Sequence, residues 1–251
     1  MDAGVLAAAQ TAAGGVVYWQ NDLDQAEAHY LAALELDRRH ERADRIGDDQ
    51  YNLAFVAMLR RDLEAARERL AESGKAFAAE GQAERLADSK AALGALEMRA
   101  GNLPLARDLI EEGRHLHLEH GNLARSTDNT MVLSNIYLRL GDADTARDYL
   151  RKAIASTREM GDVARLPLAL DIGAAQALSE GRHADALRLL GAAAHRRAKM
   201  GGATPNFVVD DQDMAAKARA VLAEQGAADE ADRAWAEGET LDDDALVALI
   251  G

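Results

Sequence analysis

The sequence predicts an all-α fold: a right-handed α-solenoid of about five helix pairs with a C-terminal helical cap. Three observations predict it. The 251 residues include only three prolines, 4% aromatics and no cysteine, and are rich in Ala, Leu, Glu and Arg, which favour helix. Alanines recur every 40 residues, at Ala26, Ala66, Ala106, Ala146 and Ala186. Five residues before each stands Asn21, Arg61, Gly101, Gly141 or Gly181, mostly turn formers.

Within each repeat the first helix carries Ala13, Leu53, Leu93, Leu133 or Gly173, followed by small Gly14, Ala54, Gly94, Ser134 or Ala174. The turn residue ends that helix in the left-handed conformation. The second helix presents the phase-locked alanine where two backbones approach closely. One turn on comes Tyr30, Leu70, Ile110, Leu150 or Leu190, then small Ala33, Ser73, Gly113, Ala153 or Ala193. Small against large is what antiparallel helices about 8–10 Å apart require. One pair cannot bury its apolar face alone, so neighbours stack.

Second helices are expected over about 62–79 and matching positions. They end at Gly81, Gly121, Gly161 and Gly201, preceded by Glu80, His120, Met160 and Met200. The first repeat has Glu41 at this point, so the 37–45 link is expected to differ in geometry. After Gly201 a loop is expected, then a helix opened by Pro205, with Asp210, Asp211 and Asp213 in its early part, running to about Glu224. Shorter helices are expected over 227–236 and 242–250, the last headed by Thr240 and three aspartates. The domain reading is a repeat array over 1–200 and a three-helix cap over 201–251. The acidic runs read as helix caps, since the glycine and glutamate spacing of a calcium loop is missing.

Leu93-Gly94, Gly101, Ala106 and Gly113, and then Leu133, Tyr137, Gly141, Ala146 and Ala153, resemble the tetratricopeptide repeat. That repeat has about 34 residues, and the extra length here falls after the second helix. The tail, with Leu190-Gly191-Ala192 and Ala234-Trp235-Ala236-Glu237-Gly238, is similar to the helical-repeat regions of large bacterial regulators, such as LuxR-type ATP-binding activators. The resemblance implies a sensor or scaffold region of a signalling or transcription regulator. The catalytic and DNA-binding parts of such regulators have no counterpart: Ser73-Gly74-Lys75 lacks the upstream glycine of a phosphate loop, and the last helices are acidic. Met1-Asp2 enters helical sequence almost at once with little capping, which suggests a segment of a longer regulator; a stand-alone relative is the other reading.

The net charge of −14 argues against binding a nucleic-acid backbone. No apolar run is long enough to span a membrane and no signal segment is visible, so a cytoplasmic protein is expected; the resemblance implies a bacterial one, and no cofactor or metal is expected. The expected partner is a protein or peptide; a small effector and a homodimer stay open.

In an array of this kind the first helices line the concave face. Counting back from the alanines places Tyr18, Trp19, Tyr51, Phe55, Met58, Met98, Arg99, Asn135 and Arg139 on it. The aromatic end suits an apolar peptide or helix. The Asn135 amide can hold a peptide backbone and the arginines a carboxylate. Met131 stands where a carboxylate clamp wants lysine. A second phase-locked set, Arg45, Arg85, Arg125 and Arg165, with Asp48, Asp88 and Asp128, reads as a structural ladder. His115, His117 and His120 read as solvated helix surface, because only His117 and His120 share a face and no carboxylate completes that pair. The functional expectation is therefore non-catalytic recognition. Its alternatives are a receptor for a short signalling peptide bound in the groove and a metal-dependent enzyme using the histidines.

Overall fold

A computed structural model describes residues 2–201 and 213–250. The described residues form helices α1 (Ala3–Trp19), α2 (Leu23–Arg39), α3 (Ala43–Leu59), α4 (Leu63–Ala79), α5 (Ala83–Ala100), α6 (Leu103–Glu119), α7 (Leu123–Arg139), α8 (Ala143–Glu159), α9 (Leu166–Ser179), α10 (His183–Lys199), α11 (Met214–Glu224), α12 (Ala228–Thr240) and α13 (Asp243–Ile250). No strand occurs among them. The class is all-α, as expected. The chain divides into two compact units, Met1–Asn122 and Leu123–Gly251, a division that falls inside the repeat array.

In the first unit α1 packs on α2, α3 on α4 and α5 on α6, while α2 with α3 and α4 with α5 stack successive pairs. In the second unit α7 pairs with α8 and α9 with α10, and α12 lies along α10.

The repeat alanines are the points of closest approach. Ala26, Ala66, Ala106, Ala146 and Ala186 are each fully buried. The bulky residues one turn later, from Tyr30 to Leu190, are buried too, the most exposed of them at 9%. Burying each such side chain contributes about 1.5–3 kcal/mol. The small residues of the first helices meet them: a Cβ on Gly14 would lie 2.7 Å from the Tyr30 ring, and one on Gly94 2.7 Å from Ile110. The turn residues lie where the sequence puts them, and Gly141 takes φ 85°.

The 37–45 link departs from expectation. Glu41 adopts φ 53°, the same left-handed turn that glycine makes in later repeats, and Asn21 and Arg61 do likewise. Backbone geometry follows the helix spacing even where the side chain disfavours it. The head of the chain differs too: Asp2 caps α1, its carboxylate accepting from Gly4 N–H at 2.6 Å. Asp22, Asp62 and Asp142 cap α2, α4 and α8 in the same manner.

The tail forms three helices with shifted limits. Pro205, Asp210 and Asp211 lie outside the described residues; Asp213 precedes α11 without a side-chain cap bond. Helix α12 runs on through Glu237-Gly238 to Thr240, past the expected end, because Gly238 is a crossing point and not a terminus. A Cβ there would stand 2.0 Å from the Arg188 carbonyl oxygen, and one on Gly191 2.4 Å from that of Trp235. Thr240 therefore closes α12, its hydroxyl donating to Glu237 O, and Asp242 heads α13 by accepting from Ala245 N–H at 2.8 Å. Asp243 and Asp244 pair with Arg196 and Arg158 at 2.5 and 2.9 Å.

Candidate recognition site

In the first unit, side-chain bridges connect the first helices of successive repeats. Thr11 Oγ1 on α1 donates to Asp49 Oδ1 on α3 at 3.1 Å. Arg85 Nη1 on α5 donates to Asp48 Oδ2 on α3 at 2.5 Å. The second unit repeats this last bridge, Arg165 Nε to Asp128 Oδ1 at 2.7 Å. Arg85 and Arg165 thus each link their repeat to the one before it within their own unit. Arg45 differs, with Asp44 and Asp48 of its own helix at 3.5 and 3.6 Å. Partly exposed pairs of this kind contribute about 0–1 kcal/mol each.

The aromatic residues of α1 and α3 form two pairs. Tyr18 meets Trp19 edge to face with centroids 5.7 Å apart, and Trp19 is 84% exposed. Tyr51 and Phe55 lie 4.9 Å apart, half-buried, as is Met58 one turn on. Arg99 is exposed at the end of α5. Met98 is only 1% exposed. Its row, half-open at Met58, turns into the packed interior at α5.

In the second unit Arg139 is exposed in the last turn of α7. Asn135 is 7% exposed and Met131 fully buried, the latter in the core formed with Leu150 and Leu170. Apart from Arg139, α7 contributes polar groups that mostly face inward: Ser126, Thr127, Asn129 and Thr130 are buried as well.

The histidine reading needs one correction. His117 is 1% exposed, with Nε2 3.5 Å from Asp88 Oδ1. The expectation of solvated surface holds for His115, which faces Glu119 at 3.1 Å, and for His120, whose Nδ1 lies 2.9 Å from Leu116 O. Helical phase turns His117 alone toward α5. Among the described residues no trio of His, Cys, Asp and Glu is arranged to hold a metal ion.

A feature missed by the sequence reading lies at the head of the first unit. A cavity of about 510 Å³ opens between α1, the end of α2 and the start of α3, lined by Ala8, Thr11, Asp37, Arg42, Asp48 and Asp49 among others. Asp37 and Asp49 are buried at 2% and 1% exposure. Burial, followed by the facing Asp37 carboxyl, pushes Asp49 up to about 7, against the opposing effect of the Thr11 hydroxyl. Asp49 escaped notice because it follows Asp48 of the ladder, and only the fold brings Asp37 to it.

Residues 131–159, in α7 and α8, match the tetratricopeptide repeat family. No curated protein matches the sequence. Among solved structures, aspartyl phosphate phosphatase F from Bacillus subtilis superposes with TM-score 0.72 at 15% identity, over 95% of this chain and 60% of its own. A Rap protein complexed with Competence and Sporulation Factor gives 0.70 at 15% identity, over 99% and 64%. The TPR-like repeats of a putative kinesin light chain from Podosopora anserina give 0.64 at 17% identity, over 80% and 98%. The chain thus spans less than two thirds of the first two proteins. Its described fold is one of tetratricopeptide-like helix pairs, with a tetratricopeptide repeat at 131–159.

Proposed function

We propose that the chain is a non-catalytic recognition array, the sensor or scaffold region of a bacterial signalling or transcription regulator, which holds a protein or peptide segment against its first helices. The observation that carries this reading is the aromatic surface of α1 and α3. Trp19, 84% exposed, sits beside Tyr18, and α3 offers a second, half-buried ring pair in Tyr51 and Phe55. Rings in this state lose water cheaply on docking and dominate interface energetics. The regulator context is supported by the tail resemblance. A receptor for a short signalling peptide is the narrower reading, supported by the fold shared with the Rap protein complexed with Competence and Sporulation Factor.

Titration with pooled short peptides, followed by tryptophan fluorescence, tests both. Saturable binding should blue-shift Trp19 emission, and Trp19→Phe should remove that signal while leaving Trp235. Tyr51→Ala and Phe55→Ala should each weaken binding about tenfold or more. No saturable binding by any pool, with tight capture of an ATPase or kinase domain that survives Tyr51→Ala, would overturn the peptide reading. Capture abolished by Tyr51→Ala would uphold the broader one.

A further inference from the structure

The head cavity has a charge problem. Of its three carboxylates, Asp37 faces Arg42 Nη2 at 2.5 Å, and Asp48 is taken up by Arg85 and Arg45. Asp49 is left with one hydroxyl donor, Thr11, on Oδ1; its Oδ2 is buried and meets no donor. A buried carboxylate without a compensating charge is costly, and two things can relieve it: a proton or an incoming cation. The cavity beside Asp49 is large enough for a cation, and its rim, at Ala8, Ala12 and Arg45, is exposed to solvent.

We propose that this cavity binds a compact organic cation, an ammonium or guanidinium group, which donates N–H bonds to Asp49 Oδ2 and takes the place of the proton between Asp49 and Asp37. Several features fit a nitrogen cation. Two carboxyls at one spot match a group with several donors. The alanines of α1 leave space for an alkyl stem. Arg42 also has a buried Nε without a partner, a donor for a carbonyl or carboxylate on the same ligand. The cation can come from a basic side chain of a segment lying along α1 and α3, or from a free amine. The site rests on its own geometry and stands apart from the aromatic surface.

The groups facing Asp49 are Thr11 on α1, Tyr30 and Asp37 on α2, Arg42 in the link, and Arg45 and Asp48 on α3. Cation and proton compete for the same carboxyl, so binding releases a proton and weakens as pH falls.

Methylguanidinium is the probe, titrated into the full chain at constant ionic strength against tetramethylammonium, which has no N–H. Carboxyl carbon resonances of the aspartates are read by NMR. The expected result is a saturable shift at Asp49, about thirtyfold weaker at about pH 5.5 than at about pH 8, and lost in Asp49→Asn. Ala12→Leu, which fills the exposed rim without touching a carboxyl, should weaken it similarly if the asparagine variant fails to fold. An equal response to tetramethylammonium, or a shift unaffected by both substitutions, would overturn the proposal. Peptides containing arginine or citrulline then separate the sources: preference for arginine assigns a partner's side chain, and equal affinity assigns the free amine. Because methylguanidinium does not need the aromatic rings, this site can fail while peptide binding at Tyr51 and Phe55 survives, and the reverse.

Discussion

Asp49 is the residue on which the strongest single-site prediction rests. Its carboxyl titrates near 7 in the fold against an ordinary value of 3.8. The folded chain therefore holds a proton that the unfolded chain has released, and stability falls as pH rises from about 4 to about 7. Glu97, Asp142 and Glu180 are instead held below their ordinary values, so their contributions are lost at lower pH. Asp49→Asn should flatten the slope between pH 5 and 7 and raise stability at pH 8 by about 1–3 kcal/mol. Urea denaturation at several pH values checks this; an unchanged slope would show that Asp49 does not carry the proton. Glu41 offers a second case. It holds φ 53° where later repeats use glycine. Glu41→Gly should stabilise by about 0.5–1 kcal/mol, since relief of left-handed strain exceeds the entropy that glycine adds to the unfolded chain. A lower thermal midpoint would show that Glu41 makes contacts worth more than its strain.

Helix positions were legible because periodicity alone reports them. The alanine register and the turn residues predicted where pairs close, and the fully buried alanines follow from it. What stayed hidden depends on neighbours distant in sequence. Gly238 reads locally as a helix end, yet it lies inside α12 because Arg188 of α10 presses against it. The tail motif that suggests a regulator is thus the contact of two helix backbones, Gly191 against Trp235 and Gly238 against Arg188. Met98 reads as surface by counting, and only the packing of α5 shows it buried. Asp37 and Asp49 are a similar case, since no periodic rule pairs the end of a second helix with the start of the next first helix. Gly238→Ala tests the backbone contact. Its Cβ cannot fit 2.0 Å from a carbonyl oxygen, so α12 must move off α10, at a cost of about 3 kcal/mol or more. Wild-type stability in that variant would show that the crossing can open without loss.

For the molecule as a whole, the boundary at Asn122 and Leu123 cuts a continuous repeat pattern into two compact units. In repeat architectures stability is close to a sum over neighbours. Damage in one unit should then stay there. In Gly238→Ala, amide exchange should quicken in α10 to α13 while α1 to α6 keep their protection. Uniform loss of protection over both units would instead mark a single cooperative fold.

The turns carry a further consequence. Left-handed residues fall at 21, 41, 61, 81, 101, 121, 141, 161, 181 and 201, a beat of twenty set by helices of mostly seventeen residues and short links. Alternate helices play different parts, so length can change without penalty only in whole blocks of forty. Loss of twenty residues would set two second helices in succession, without the small-residue first helix that each repeat alanine packs against. At two joints a block also sets an arginine against the aspartate of the block before it, as Arg85 joins Asp48 and Arg165 joins Asp128. A spliced block that lacks the matching arginine or aspartate would lose about 0–1 kcal/mol at that joint, so the forty-residue length constrains splicing more than the ion pair does.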